Sequence, residues 1–102
     1  MNAYNEQGEK HGPWEDCYSN GKLWYKLNYI NGKLHGLSEE YHSNGNLYYK
    51  ENYINGKLHG LREKYYSNGK LDYIVNYVNG NFYGLSVDYN YEGDLLRKQF
   101  FL

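Results

Sequence analysis

Apolar and polar residues alternate along most of this chain, and the alternation is interrupted at regular intervals by Asn-Gly. Asn-Gly pairs fall at 20–21, 44–45 and 68–69, with Glu92-Gly93 as the equivalent, and a second set falls at 31–32, 55–56 and 79–80 after Gln7-Gly8. The spacings alternate between 11 and 13 residues. Such segments are too short for ordinary helices, and Asn-Gly between alternating apolar residues marks a hairpin because both residues accept φ > 0. The pattern predicts long strands over 22–30, 46–54, 70–78 and 94–102, and shorter ones over about 13–18, 37–42, 61–66 and 85–90.

The pattern is also a repeat. Tyr29-Ile-Asn-Gly-Lys-Leu-His-Gly-Leu37 recurs letter for letter as Tyr53 to Leu61, and a weaker copy runs from Tyr77 to Leu85, giving a period of 24 residues. One domain over 1–102 follows, with a half-repeat at 1–17, repeats at about 18–41, 42–65 and 66–89, and a C-terminal half-repeat at 90–102. Tandem supersecondary units of this length stack on their neighbours. The expected fold is therefore all-β: an elongated, twisted, single-layer antiparallel meander of tandem hairpins.

Turn chemistry sets the register. A three-residue loop Ser43-Asn44-Gly45, with glycine in the left-handed position, sets Tyr41 opposite Leu47, whereas a two-residue loop sets it opposite Tyr48. Period-two alternation then assigns Leu23, Leu47, Leu71 and Leu95 to one face together with the columns Tyr25, Tyr49, Tyr73 and Tyr29, Tyr53, Tyr77, Phe101. Bulges at Gly36, Gly60 and Gly84 are required if Leu58 and Leu61 are to share that face. The predicted buried set per repeat is Leu47, Tyr49, Tyr53, Leu58, Leu61 and Tyr65; the predicted reverse face carries Tyr48, Lys50, Asn52, His59, Arg62 and Lys64. The expected turn glycines are Gly21, Gly32, Gly36, Gly45, Gly56, Gly60, Gly69, Gly80 and Gly84.

Composition sharpens this picture. The 102 residues include 15 Tyr, two Trp and three Phe, side chains with a large apolar body and a polar edge that suit interfaces. A net charge of −1 with the signs interspersed gives no electrostatic case for phosphate backbones, anionic lipid or a strongly basic partner. Tyr-rich sheets can stack bases, but that usually takes a basic groove as well. A lone Cys17 rules out an internal disulfide framework, and its column, shared with Tyr41, Tyr65 and Tyr89, makes it a core substitute rather than a nucleophile. With no signal-peptide pattern and no 18-residue apolar run, a cytoplasmic protein is expected.

Candidate chemistry is sparse. His11, His35 and His59 recur at the repeat period, but equivalent positions lie two strands, roughly 9.6 Å, apart, too far to share a metal ion. A histidine beside each tight turn, bonded to backbone, is the expected role. Glu39 and Lys50 read as a solvated cross-strand pair. Neither a phosphate-binding loop nor a catalytic constellation is present, so no enzyme activity, metal or cofactor is expected.

The Asn-Gly-Lys-Leu-His-Gly cores at 31–36 and 55–60, with Tyr-x-Asn-Gly half a repeat later, resemble the MORN repeat in its second variant. The resemblance runs from about Gly8 to Gly93 and departs from pattern at Asn81, Tyr83 and the apolar Leu96–Leu102 end. It implies a curved sheet of hairpins used for protein–protein contact, dimerisation or, in some relatives, membrane association. That variant is carried by bacterial proteins described as antitoxins of toxin–antitoxin pairs and by proteins of large DNA viruses, which places this chain in a cytoplasm or, if viral, a virion. The leading expectation is a non-catalytic interaction or scaffold module. Its partner would be protein or a second copy, engaged through Tyr25, Tyr49 and Tyr73, through Tyr29, Tyr53 and Tyr77, through Trp24 and Tyr48 as anchors on the reverse face, and through Phe100 and Phe101 at the edge. An antitoxin that occludes a toxin by direct binding is the alternative; small-molecule, nucleic-acid and membrane partners rank lower.

Overall fold

The computed structural model describes residues 2–102. Eleven strands follow in order: β1 Ala3–Tyr4, β2 Lys10–Cys17, β3 Leu23–Ile30, β4 Lys33–Leu34, β5 Gly36–Tyr41, β6 Leu47–Ile54, β7 Lys57–Leu58, β8 Gly60–Tyr65, β9 Leu71–Val78, β10 Asn81–Tyr89 and β11 Leu95–Phe101. They form one antiparallel sheet in the order β1-β2-β3-β5-β6-β8-β9-β10-β11, with β4 on β3 and β7 on β6. Its extents of 47 × 38 × 11 Å are those of a single layer, and no described residue is helical. The all-β meander expected from the sequence is what forms.

Two kinds of turn hold the meander. At 31–32, 55–56 and 79–80 both residues are left-handed, with Asn φ of 47°, 49° and 51° and Gly φ of 83°, 81° and 84°. This is the two-residue turn whose twist matches that of the flanking strands, and it pairs Ile30 with Lys33 and Ile54 with Lys57. At the opposite side of the sheet the three-residue loop is the one adopted. His42 N–H donates to Asn46 O, Gly45 N–H donates to His42 O, and Tyr41 lies opposite Leu47.

Gly36 and Gly60, at φ of 88° and 91°, break the chain between β4 and β5 and between β7 and β8, while at Gly84 β10 continues but its register against β9 shifts. Irregularities therefore occur at all three predicted glycines, and Gly12, at φ 84°, opens the same series one repeat earlier.

A second, unanticipated series of bulges decides the faces. Glu40 opposes Tyr49 while Tyr41 opposes Leu47, so Tyr48 is an extra residue; Trp24, Asp72 and Leu96 are extra in the same way. Two residues of the bulged strand then oppose one and point to the same side. Leu47 is thereby moved to the face opposite Tyr49, which corrects the single face expected for the Leu and Tyr columns.

The short strands are also inverted relative to expectation. Arg62 pairs with Val75 and Lys64 with Tyr73, which puts both cations on the Tyr face; Leu61 pairs with Asn76 and is 53% exposed on the reverse, where Tyr65 also lies, opposite Leu71. The glycine break does not restore Leu61 to the side of Leu58, which pairs with Tyr53. Only Trp14, Val75, Tyr77, Val87 and Ser38 are buried among the described residues. A single sheet covers its own surface poorly, and its stability comes from many half-buried neighbours rather than from a closed core.

Candidate functional site

The Tyr face is a set of rows running across the strands. Tyr25, Glu40, Tyr49, Lys64 and Tyr73 follow one another through strand pairs, and Asp88 and Arg97 continue the row. Tyr29, Tyr53, Tyr77 and Phe101 lie four residues further along their strands, on the same side. The two anchors expected on the reverse belong here instead. The Tyr48 ring centroid lies 4.4 Å from that of Tyr49, and Trp24 lies 5.1 Å from Tyr25. Successive residues of a regular strand point apart, so the bulge is what brings each pair together.

Between the rings sit charged groups that the expected alternation had sent to the other side. Arg62 stacks 4.8 Å above the Tyr49 ring and 5.9 Å from that of Tyr73, and its Nε lies 2.9 Å from Glu51 Oε2. Lys64 Nζ lies within 6.0 Å of the Tyr48, Tyr49 and Tyr73 rings and 3.7 Å from Asp72. Cation–π contacts of this kind strengthen as the pair is desolvated. Burial raises Glu51 above its ordinary carboxylate value even though Arg62 opposes the shift. Burial likewise pushes the Tyr73 phenol up to about 12, with Arg62 again opposing.

Toward the C-terminal side this face deepens into a cleft of about 320 Å³ whose lining includes Arg62, Tyr73, Tyr77, Phe82, Arg97 and Phe101. Phe82 bridges the Tyr77 and Phe101 rings at 5.1 Å each, and Arg97 forks onto Asp88 at 2.9 and 3.2 Å. At the N-terminal side Trp14 packs edge-on against Tyr4 and Tyr29, with Lys10 Nζ 4.8 Å above it. The expected alternation assigned Arg62 and Lys64 to the other face and gave Trp14 no role; the signal that could have placed them is the residue added at every 24th position, which inverts the alternation, whereas Glu51 lies on this face by its spacing of two from Tyr49 and Tyr53.

The reverse face carries a ladder of alternating charge: Glu15, Lys26, Glu39, Lys50 and Glu63 succeed one another across five strands before Ile74 and Val87 replace them. The expected neighbourhood of Glu39 and Lys50 is thus one step of a longer series. Tyr65 lies on this side with its hydroxyl 2.6 Å from Glu63, and burial, then that carboxylate, pushes its phenol up to about 12. Phe100, 67% exposed, also faces this way opposite Leu85, so the two adjacent phenylalanines serve different faces.

Both margins are tied by side chains. Asn20, Asn44 and Asn68 each accept a backbone N–H two residues on and donate to a carbonyl of the next loop, at Ser43, Ser67 and Tyr91. Tyr18 and Tyr66 hydroxyls donate to Tyr41 O and Tyr89 O, and the His42 Nε2 hydrogen bonds to Tyr65 O. On the other margin His11 and His35 Nδ1 accept from Asn31 and Asn55 N–H, the role expected for them, whereas His59 Nδ1 is buried without a partner. These rings bond to backbone one turn away, and among the described residues no three metal-ligating side chains gather. Cys17 is exposed and pairs with Leu23 at the rim of the reverse face. Among the described residues no helix is long and apolar enough to cross a membrane.

Among curated proteins no match to this chain is found. The MORN repeat variant family matches it three times, over residues 10–31, 34–55 and 58–79. The first match starts at β2 and the other two at the ends of the two-residue strands β4 and β7; each passes through the three-residue loop and the long strand and closes at the Asn-Gly turn. With the matches covering more than half of the sequence, this chain belongs to the MORN repeat variant family.

Proposed function

We propose that the protein is a non-catalytic interaction module whose Tyr face docks a protein partner. The observation that carries this reading is the bulge series: it turns Trp24 and Tyr48, with Arg62 and Lys64, onto the side of a single-layer sheet where alternation already sets Tyr25, Tyr49, Tyr53 and Tyr73. Repeats of this family serve generally in protein and membrane interaction. Aromatic and Arg side chains are also those that dominate protein interfaces, because they combine large contact area with few degrees of freedom to lose. The Glu, Lys and Asp groups set between the rings favour a partner segment carrying both apolar and charged side chains over a purely lipid surface.

The discriminating experiment captures partners from the native source with three forms of the chain. Tyr25→Ser with Tyr49→Ser is expected to lower recovery of the specific partner by about tenfold or more, whereas Lys26→Ser with Lys50→Ser on the reverse face leaves it unchanged. Circular dichroism confirms that each form is folded. Equal recovery with all three forms, or loss only with the reverse-face variant, contradicts the assignment of the Tyr face.

A further inference from the structure

The last strand of the sheet and its second strand are the two halves of a joint that the chain already makes twice. Within the sheet, β3 meets β5 at Tyr25–Glu40 and Lys26–Glu39, and β6 meets β8 at Tyr49–Lys64 and Lys50–Glu63. β11 occupies the same place in the 24-residue repeat as β3 and β6, and β2 the same place as β5 and β8. Carrying the interior register across to another molecule sets Arg97 opposite Asp16 and Lys98 opposite Glu15. Both pairs are charge-complementary, and Lys98–Glu15 continues the row that holds Lys26–Glu39 and Lys50–Glu63.

The same register sets Phe101 opposite Lys10, since Tyr29 opposes Leu34 and Tyr53 opposes Leu58. In the single chain that place is taken by Tyr4, which pairs with Lys10 and lays its ring 5.3 Å from Trp14. Asn2 Oδ1 meanwhile accepts the Glu15 N–H at 2.8 Å, and Trp14 Nε1 donates to Ala3 O at 3.1 Å. Residues 2–4 thus imitate the end of a long strand on the exposed edge of β2. The imitation is short: β1 makes two register pairs, and Tyr4 remains 63% exposed.

We propose that a second copy of this chain supplies the true strand, its β11 replacing Asn2–Tyr4 on β2, so that copies join head to tail with the repeat period unbroken. The joint is heterologous and does not close on itself, which predicts open assemblies rather than dimers. Unpaired strand edges are natural sites for such addition, and a short cap is one way a protein manages them. This inference stands apart from the docking face, because the joint uses strand edges and leaves the Tyr face open.

Sedimentation velocity on the full chain across a wide concentration range tests it. The weight-average mass is expected to rise with concentration without a plateau at the dimer, and Asn2→Ala with Tyr4→Ser, which loosens the cap, shifts the rise to lower concentration. Lys98→Glu weakens association by about fivefold or more in either background, Lys98→Gln by less, and Lys98→Glu combined with Glu15→Lys restores it. Circular dichroism establishes that each variant is folded. A constant monomer mass for the cap-loosened form, a mass that stops at the dimer, or a charge swap in a folded protein that fails to restore association overturns the proposal.

Discussion

At the scale of the residue, the asparagine of each three-residue loop does two jobs that sequence alone does not separate. Asn44 accepts Asn46 N–H at 2.9 Å, which shapes its own loop, and donates to Ser67 O at 2.8 Å, which ties that loop to the next. Each such bond contributes about 1 kcal/mol, so Asn44→Ala is expected to cost about 1–2 kcal/mol in urea denaturation and Asn44→Asp about half as much, because it keeps the acceptor. Gly60 shows a separate constraint: an added Cβ would meet nothing within 4 Å, yet φ is +91°. Gly60→Ala should therefore destabilise by about 1–2 kcal/mol through backbone conformation alone. Tyrosine ionisation supplies a pH test. Tyr65 and Tyr73 are held from the ordinary 10.0 up to about 12, first by burial, with Glu63 adding at Tyr65, and Tyr49, Tyr77 and Glu51 adding at Tyr73 against Arg62. Folding favours the neutral phenols, so the stability they contribute is complete below about pH 10 and is lost as pH rises toward 12. Thermal melts across that window should show the decline, and Tyr65→Phe should flatten it.

At the scale of the element, turns and strands were legible because Asn-Gly at fixed spacing leaves few alternatives, and the strand bounds follow from the turns. The facing of the side chains was not legible. Trp24, Tyr48, Asp72 and Leu96 carry the extra residue of each bulge, and none of them is a glycine or proline that would flag one. An uncounted residue in a strand inverts every assignment beyond it, which is why Leu61 was placed among core residues and Arg62 outside them. The two readings separate on mutation. Leu61→Thr, on the exposed reverse face, is expected to change stability by no more than about 0.5 kcal/mol, whereas Val75→Ala, at a position 4% exposed, should cost about 1–3 kcal/mol. Chemical denaturation of the two variants side by side decides between them.

At the scale of the whole molecule, the repeat period announced an open array, and the sheet is one. Sequence did not announce what happens at its margins, because the pairing of Asn2–Tyr4 on β2 depends on a register outside the repeat, with Tyr4 opposite Lys10 across a three-residue loop. The central claim is that a bulge at every 24th residue turns Trp24, Tyr48 and Arg62 onto the face where alternation sets the tyrosine columns. Nuclear Overhauser contacts in the free protein test that claim most directly. Contacts are expected between the Tyr48 and Tyr49 rings and between the Arg62 side chain and the Tyr49 ring, placed at 4.4 and 4.8 Å. A Tyr48 ring that instead contacts Lys50 and Asn52, with Leu61 against Tyr49, would contradict it.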